Sequence, residues 1–358
     1  MSYNLYRRKS RQIFVGGVGI GGESPISIQS MTNTDTKDIE ACYRQISELA
    51  ETGCDIVRLA VPDIESAKTF YALKERGVKI PLVADIHFDY KIALAAIEAG
   101  ADKIRINPGN IGSRERSEKV VRACLDKKIP IRIGVNSGSL EKPILEEYGA
   151  PCAEALAKSA LYHVKILEDM GFYDTAISVK ASDTRTMIMA NRILAESTDY
   201  PLHLGVTEAG AGYRALVKSS VGIGALLSEG IGDTVRVSLT DKPQEEIAAA
   251  REILSALGIY RKKRMDIVSC PTCGRTKIDL IRLVSEFEKR AQEEGLLEKP
   301  IKVALMGCVV NGPGEAAEAD IGIAGGRGEG FLFKHGKTVR KIKEDALIEE
   351  LINEIKLM

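Results

Sequence analysis

Three cysteines in the last third of the chain have the residue type and spacing of a metal site. Two residues separate Cys270 from Cys273, and the glycine after Cys273 permits a tight turn. Cys308 follows a short apolar run and enters a Gly-Pro-Gly loop. Thiolates bind soft metal ions, but a closed zinc site takes four ligands and a cubane iron–sulfur cluster usually takes four cysteines. The pattern therefore predicts a soft-metal site that lacks one ligand.

A zinc knuckle is the alternative interpretation of the same cysteines. His335 would then be its fourth ligand, although it lies well past the Cys308 loop on a predicted hairpin. The other four cysteines fall in predicted helices or at helix ends: Cys42, Cys54, Cys124 and Cys152. We expect these four to be small buried side chains that stay reduced in a cytoplasmic protein.

A second set of polar residues lies in, or directly after, short β-branched runs. They are Arg58, Asp85, His87, Arg105, Asn107, Arg132, Asn136, Lys180, Glu208, Arg236 and Ser238. A charge inside a buried strand is costly unless it is paired. Cations on five different strands exceed what Asp85 and Glu208 can neutralise. Such cations hold phosphate by charge-assisted hydrogen bonds, so the set predicts a phosphate or diphosphate pocket. The alternative is that some of these side chains point outward beneath helices, because a shift of one residue changes the face of a strand.

Eight short apolar runs alternate with amphipathic helical stretches between Ile26 and Leu257. The runs are Ile26–Ser30, Ile56–Ala60, Leu82–Ile86, Lys103–Asn107, Ile131–Val135, Thr175–Lys180, Leu202–Val206 and Thr234–Leu239. This alternation predicts an α/β fold, a (β/α)8 TIM barrel. An open doubly wound sheet is the alternative, but eight regular units close more naturally. In a barrel the strand C-termini form the catalytic face, so the polar residues would converge there.

Composition and motifs indicate the domain organisation and argue against several classes of protein. We predict a TIM-barrel domain at 1–257, a basic linker at 258–265 and a small α+β domain that carries the metal site at 266–358. The 50 basic and 50 acidic residues balance, which argues against general nucleic-acid or membrane-surface binding. No apolar run is long enough for a membrane span, and no signal peptide begins the sequence. The G-x-G-x-x-G pattern in the segment 16–22 precedes a proline and a strand, so we interpret it as a turn.

Seven strings of residues occur in a recognisable order along the chain. They are KIRINPGNIG, RIGVNSGSL, SVKASD, GVTEAG, DTVRVSLT, SCPTCGR and GCVVNGPGEA. Together they resemble the 4-hydroxy-3-methylbut-2-en-1-yl diphosphate synthases, iron–sulfur enzymes of the methylerythritol phosphate route to isoprenoids. The resemblance covers essentially the whole chain. The short linker leaves no room for the extra domain of the plant form, so the chain is similar to the bacterial type.

The resemblance implies a specific reaction and site. The family reduces 2-C-methyl-D-erythritol 2,4-cyclodiphosphate, opening its ring with loss of water. A [4Fe–4S] cluster would be held by Cys270, Cys273, Cys308 and Glu315, and Glu208 would protonate the reacting intermediate. The resemblance places the remaining residues of the strand-end set at the substrate. A carboxylate is a harder and more exchangeable iron ligand than a thiolate, so Glu315 could leave one iron free to take a substrate oxygen.

Partners follow from the same resemblance and from chain geometry. Single electrons would come from a ferredoxin or a flavodoxin. The last barrel helix returns the chain about 20 Å away from the strand C-termini, and the short linker spans about 30 Å at most. A head-to-tail homodimer, in which each cluster domain covers the barrel of its partner, is therefore expected. The rival functions are a phosphate-binding barrel with a structural zinc or cluster tail, and a barrel enzyme that acts on a pterin or sugar phosphate.

Overall fold

The computed structural model describes residues 6–87, 89–111, 113–308 and 318–358. The chain divides into two units, Met1–Arg261 and Lys262–Met358. None of the helices in the described ranges is long and apolar enough to cross a membrane.

A short hairpin, β1 (Ile13–Val15) and β2 (Val18–Ile20), precedes the barrel. Its apolar side chains pack on Ile56, Val83 and Ala176, each within the first two residues of a barrel strand. The Gly-rich segment near the N-terminus supplies the turn and second strand of this hairpin, not a loop that opens a helix. The hairpin therefore covers the end of the barrel where the strands begin and leaves the opposite end for a site.

Eight parallel strands form the barrel of the first unit. They are β3 (Ser27–Met31), β4 (Ile56–Ala60), β5 (Leu82–Asp85), β6 (Lys103–Arg105), β7 (Ile131–Asn136), β8 (Thr175–Lys180), β9 (His203–Leu204) and β10 (Thr234–Val235). Consecutive strands pair from β3 to β8, β9 pairs with β10, and β10 pairs with β3. A bridge between Ile177 and Leu202 closes the circle. The predicted TIM barrel is confirmed. Strands β9 and β10 are shorter than predicted, because beyond Leu204 the pairing continues as isolated bonds such as Arg236 N–H to the Leu204 carbonyl, 3.0 Å.

Nine helices follow these strands within the described part of the first unit. They are α1 (Ile39–Glu51), α2 (Ile64–Glu75), α3 (Tyr90–Glu98), α4 (Arg114–Lys127), α5 (Lys142–Tyr148), α6 (Ala153–Glu168), α7 (Thr184–Ser197), α8 (Gly212–Ser228) and α9 (Pro243–Ala256). Asp38, Asp63, Asp89 and Asp183 cap four of them by accepting a backbone N–H of the first turn. Such caps satisfy N–H groups that have no partner within the helix.

The two faces of the barrel strands differ in polarity. Residues that face the helices are apolar, for example Val57, Leu59, Ile104, Ile133 and Val179. The alternate residues face the barrel interior and include Arg58, Lys103, Arg105, Arg132 and Lys180. Barrel interiors are usually filled by branched apolar side chains. Here the interior is polar, and the hairpin closes only one of its ends.

The second unit is a mixed five-stranded sheet with two α-helices among its described residues. Its strands are β11 (Asp266–Ser269), β12 (Lys302–Met306), β13 (Ile321–Gly325), β14 (Glu329–Lys334) and β15 (Lys337–Lys343), paired in that order. Strands β11, β12 and β13 pair in parallel, and β14 pairs antiparallel with both β13 and β15. Helices α10 (Leu280–Glu293) and α11 (Leu347–Lys356) share its apolar core. The predicted α+β character of this part is confirmed.

Candidate active site

Asp85 is the centre of a buried ion-pair network at the end of β5. Its Oδ1 lies 3.2 Å from Nη1 of Arg105 on β6, and its Oδ2 lies 3.5 Å from Nε of Arg58 on β4. Burial alone would raise the pKa of the Asp85 carboxyl, but Arg58, Arg105 and Arg132 together lower it to about 2. Asp85 is therefore a carboxylate throughout the neutral range and holds two guanidinium groups in place.

The backbone N–H and carbonyl of Gly134 on β7 form hydrogen bonds with side chains at the end of β6. Asn107 Nδ2 donates to the Gly134 carbonyl at 3.0 Å, and Gly134 N–H donates back to Asn107 Oδ1 at 2.9 Å. Arg105 Nη2 donates to the same carbonyl at 2.8 Å. A Cβ at position 134 would overlap the Arg105 guanidinium, so glycine allows Arg105 to lie across the strand. Arg105 and Asn107 are thus oriented before any ligand binds.

Arg236 is oriented by a carboxylate that the sequence analysis did not identify. Its Nη1 donates to Ser238 Oγ at 2.6 Å, and its Nη2 donates to Glu246 Oε1 at 3.0 Å. Glu246 on α9 is buried and also accepts from Ser30 Oγ and from the backbone N–H of Leu239. In the sequence, Glu246 is one of two glutamates in a first helical turn, where the helix dipole favours acids in any protein. No local pattern distinguishes it.

Four basic side chains are buried inside the barrel. Lys103, Arg132, Lys180 and His203 are each at most 5% exposed. Burial lowers the pKa of all four groups, and neighbouring cations lower it further. Both nitrogens of His203, and Nε and Nη2 of Arg132, lack a hydrogen-bond partner among the described residues. Lys103 and His203 were not predicted as site residues, although the alternation of Lys103 with Arg105 on β6 is a signal that could have identified Lys103.

The barrel interior contains more basic than acidic groups. Within the described ranges six cations accompany two carboxylates: Arg58, Lys103, Arg105, Arg132, Lys180 and Arg236, against Asp85 and Glu246. Nε of Arg105 and Nε of Arg236 also lack a partner in this part of the chain. Like charges at short range in a poorly hydrated interior repel each other strongly. The arrangement is therefore suited to a ligand with several anionic oxygens.

The remaining predicted residues of the barrel lie around its open end. His87 follows β5, where loss of hydration lowers the pKa of its imidazole. Asn136 and Ser238 are half-buried at the end of β7 and after β10. Glu208, in the loop after β9, is exposed and has a left-handed backbone with φ of 53°. Backbone strain of this kind in a non-glycine residue often marks a functional position. The strand topology thus brings the predicted barrel residues to one end.

The second unit brings Cys270 and Cys308 to one edge of its sheet. Strands β11 and β12 are parallel, with Ser269 opposite Leu305, so the residues that follow them leave the sheet together. The backbone N–H of Gly307 donates to Cys270 Sγ at 3.2 Å. This bond places the start of the Cys308 loop against the Cys270 sulfur.

Cys273 lies in the turn that follows Cys270. Its backbone N–H donates to Thr276 Oγ1 at 3.2 Å. The backbone N–H of Lys277, the residue after Thr276, donates to the Gly307 carbonyl at 3.0 Å. A hydrogen bond from the backbone N–H of Arg275 lowers the pKa of the Cys273 thiol. The thiolate form, which binds metals, is thereby favoured.

The other cysteines have a different environment. All seven are free thiols, and burial raises the pKa of Cys54 and of Cys124 to about 12. Cys42 is also buried, and Cys152 is half-buried. Buried thiols are inert, which fits Cys42, Cys54 and Cys124, whereas the prediction of burial is wrong for Cys152.

The fourth metal ligand is not settled by the described residues. Among them, no group of three or more His, Cys, Asp and Glu side chains is arranged to hold a metal ion. Glu315, the predicted fourth ligand, falls in 309–317, outside those residues. His335 lies in the turn after β14, opposite the start of β13. Its backbone N–H donates to the Asp320 carbonyl. Cys270 follows the opposite, C-terminal end of these parallel strands, so His335 does not complete a zinc knuckle in this fold.

Family models match both units of the chain. Residues 10–251 match the model described as the GcpE TIM-barrel domain. Residues 266–357 match the model described as the GcpE protein C-terminal domain. The two matches leave residues 1–9, 252–265 and 358 uncovered.

Curated relatives resemble nearly the whole chain. A protein of Clostridium perfringens is 58% identical over 348 residues, which cover 97% of this chain and 98% of that protein. A protein of Bacillus subtilis is 55% identical over 353 residues, which cover 99% of this chain and 92% of the relative. Both relatives are named 4-hydroxy-3-methylbut-2-en-1-yl diphosphate synthase (flavodoxin).

One solved structure resembles about 70% of this chain. Type I 3-dehydroquinate dehydratase of Clostridium difficile aligns with a TM-score of 0.51 and 16% identity, over 70% of this chain and 98% of that chain. At this identity the likeness shows the fold alone.

Proposed function

Because this chain belongs to the GcpE family, we propose that it makes 4-hydroxy-3-methylbut-2-en-1-yl diphosphate from 2-C-methyl-D-erythritol 2,4-cyclodiphosphate. The ring opening consumes two electrons and two protons and releases one water. The protein is thus an oxidoreductase of isoprenoid biosynthesis. The names of its relatives give the product and specify flavodoxin, so flavodoxin is the proposed donor in preference to ferredoxin.

The surplus of cations inside the barrel is the observation that carries this proposal. Arg132, Arg105 and Arg236 each present at least one guanidinium nitrogen without a partner among the described residues. Phosphate oxygens accept such N–H groups in charge-assisted, often bidentate, hydrogen bonds. A diphosphate would also reduce the repulsion among the six cations, so binding gains from charges that Asp85 and Glu246 leave unneutralised.

The residues of the open end take distinct roles in this proposal. Asp85 aligns Arg58 and Arg105, and Glu246 aligns Arg236, so the cations meet the diphosphate with little reorganisation. Glu208, on an exposed loop at the strand C-termini, donates a proton to the reacting intermediate. His87, Asn107, Asn136, Lys180 and Ser238 bind the same substrate.

The proposed cofactor is a [4Fe–4S] cluster at the cysteine edge of the second unit. Cys270, Cys273, Cys308 and Glu315 would hold it, and when bound it supplies electrons one at a time. The N–H bond from Gly307 to the Cys270 sulfur and the lowered pKa of Cys273 suit thiolate ligands. A carboxylate fourth ligand is weaker on iron than a thiolate, which suits a site where a substrate oxygen approaches.

Cys270→Ser should remove the cluster and leave diphosphate binding unchanged, because Cys270 belongs to a different unit from the barrel cations. The wild-type protein, prepared anaerobically, should contain about four irons and four sulfides per chain and turn over the cyclic diphosphate with dithionite and a mediator. The variant should lose most of its iron and its turnover. Calorimetry with inorganic diphosphate measures the binding.

Cys152→Ser is the matched control, because this half-buried cysteine lies in the barrel unit. It should keep both the iron and the turnover. One zinc per wild-type chain, in place of iron and sulfide, would instead support the phosphate-binding protein with a structural tail.

We also propose a head-to-tail homodimer in which the cluster of one chain serves the barrel of its partner. The short stretch of chain from the end of α9 at Ala256 to the start of β11 at Asp266 supports this arrangement. Mixing Cys270→Ser chains with Arg132→Met chains should then restore roughly a quarter of the wild-type activity, because half of the dimers are mixed and each has one intact composite site. Activity that stays at the level of the separate variants would exclude a shared site.

A further inference from the structure

His163 on α6 connects the loops that follow β6 and β7. Its Nδ1 accepts the backbone N–H of Gly109, in the loop after β6, at 3.1 Å. Its Nε2 lies 2.5 Å from Oε1 of Glu141, in the segment after β7. Ser159, one helical turn earlier, donates to the other oxygen of Glu141 at 2.7 Å. The His163 imidazole is fully buried, whereas the Glu141 side chain is partly exposed.

The partners of His163 fix its tautomer. A backbone amide can only donate, so Nδ1 is unprotonated and the ring proton lies on Nε2, which donates to Glu141. Burial alone would raise the pKa of Glu141, but hydrogen bonds from His163 and Ser159 lower it to about 2. Glu141 is therefore a carboxylate at neutral pH and keeps the imidazole in the tautomer that holds Gly109.

The loop after β6 is shaped around this ring. A Cβ at Gly109 would lie 2.8 Å from Cε1 of His163 and 3.3 Å from Cε1 of Tyr162, so only glycine allows the backbone to approach. The N–H of Asn110 donates to the carbonyl of Asn107 at 2.8 Å. The position of Gly109 therefore sets the turn that begins at Asn107.

We propose that His163 is a positioning residue for the diphosphate site. Through Gly109 and Glu141 it holds the backbone after β6 and β7 at a fixed separation, so that Asn107 and Asn136 face the same ligand. This role rests on the proposed function of the barrel as a diphosphate site. His163 itself touches neither the substrate nor the cluster.

His163→Phe tests the role, because phenylalanine keeps a ring of similar size and removes both nitrogens. Hydrogen exchange at the Gly109 amide should become at least about tenfold faster, as expected for a lost buried hydrogen bond. The dissociation constant for inorganic diphosphate and the KM for the cyclic diphosphate should each rise about tenfold, while kcat changes less. Unchanged exchange at Gly109, or unchanged diphosphate affinity, would overturn the proposal.

Milder variants keep the test valid if His163→Phe does not fold. Ser159→Ala removes one of the two bonds to Glu141, and Glu141→Gln removes its charge, so each should show a smaller effect in the same direction. Tyr162→Phe, whose ring is half-exposed beside His163, is the control and should match the wild type. Exchange and diphosphate binding do not require turnover. If the wild-type protein does not turn over the cyclic diphosphate but the variants still show these changes in exchange and binding, the proposed reaction is wrong and the role of His163 stands.

Discussion

Arg132→Met should weaken diphosphate binding by about 100-fold or more while leaving the protein as stable as the wild type, or more stable. The Arg132 side chain is 2% exposed, and two of its nitrogens have no partner among the described residues. Arg58 and Arg105 both act on it as like charges. A buried charge without a partner is costly, so an apolar side chain of similar volume should not lower the stability, whereas losing a buried charged contact to a ligand costs about 2–5 kcal/mol.

Two measurements on one variant separate these effects. Urea unfolding gives the free energy of unfolding, and calorimetry with inorganic diphosphate gives the affinity. Diphosphate should raise the melting temperature of the wild type by binding the folded state, and should do so far less in the variant. Arg122→Met makes the same charge change on an exposed face of α4 and should alter neither quantity. A variant that is less stable yet still binds diphosphate would show that Arg132 is a structural residue.

Strand periodicity explains how much of the barrel site could be predicted. Arg58 alternates with Val57 and Leu59, and Arg105 alternates with Ile104, so one face of each strand had to be polar. Because parallel strands of a barrel end at the same face, the order of the elements then predicted which residues converge. This inference needs no knowledge of the partners of each side chain.

Long-range partners explain what could not be predicted. Glu246 becomes a site residue because α9 folds back onto Arg236 and against Ser30, and Ser30 is distant in the sequence. His203 begins a two-residue strand and has no sequence signal of its own. His163 also has no sequence signal, because nothing in the sequence links it to Gly109.

Two missed elements have weak apolar patterns. Helix α5 has seven residues and buries only Ile144, so it lacks the periodicity of a packed helix. Strand β11 lies at the edge of its sheet and has no fully buried residue. No strand was predicted there, because exposed edge strands do not show the alternation of strands with one buried face.

Asp85→Asn should lower the free energy of unfolding by about 3–5 kcal/mol, the usual cost of removing one partner from a buried ion pair. Asparagine keeps the shape of the side chain but leaves Arg58 and Arg105 without their carboxylate. The net positive charge of the barrel interior would increase by one. Turnover should also fall, since neither guanidinium would keep its orientation.

The pH dependence of stability should identify the carboxylate. The pKa of Asp85 is about 2 in the folded protein, compared with about 3.9 in an unfolded chain. A lowered folded-state pKa contributes stability that is fully present above pH of about 4 and is lost as the pH falls towards 2. Urea unfolding across this range should show the loss in the wild type, and a smaller acid dependence in Asp85→Asn.

Asp63→Asn is the matched control, and a double variant tests the cause. The pKa of Asp63 is also about 2, but its pair with Lys37 lies at the surface, where screening makes ion pairs weak. Asparagine can still cap α2, so the control should lose far less stability than Asp85→Asn. If excess positive charge causes the instability, adding Arg132→Met to Asp85→Asn should recover part of the lost stability. If the changes in the free energy of unfolding of the two single variants simply add in the double variant, the cost of Asp85→Asn comes from the broken hydrogen bonds alone. The barrel interior would then tolerate its cations without an anionic ligand.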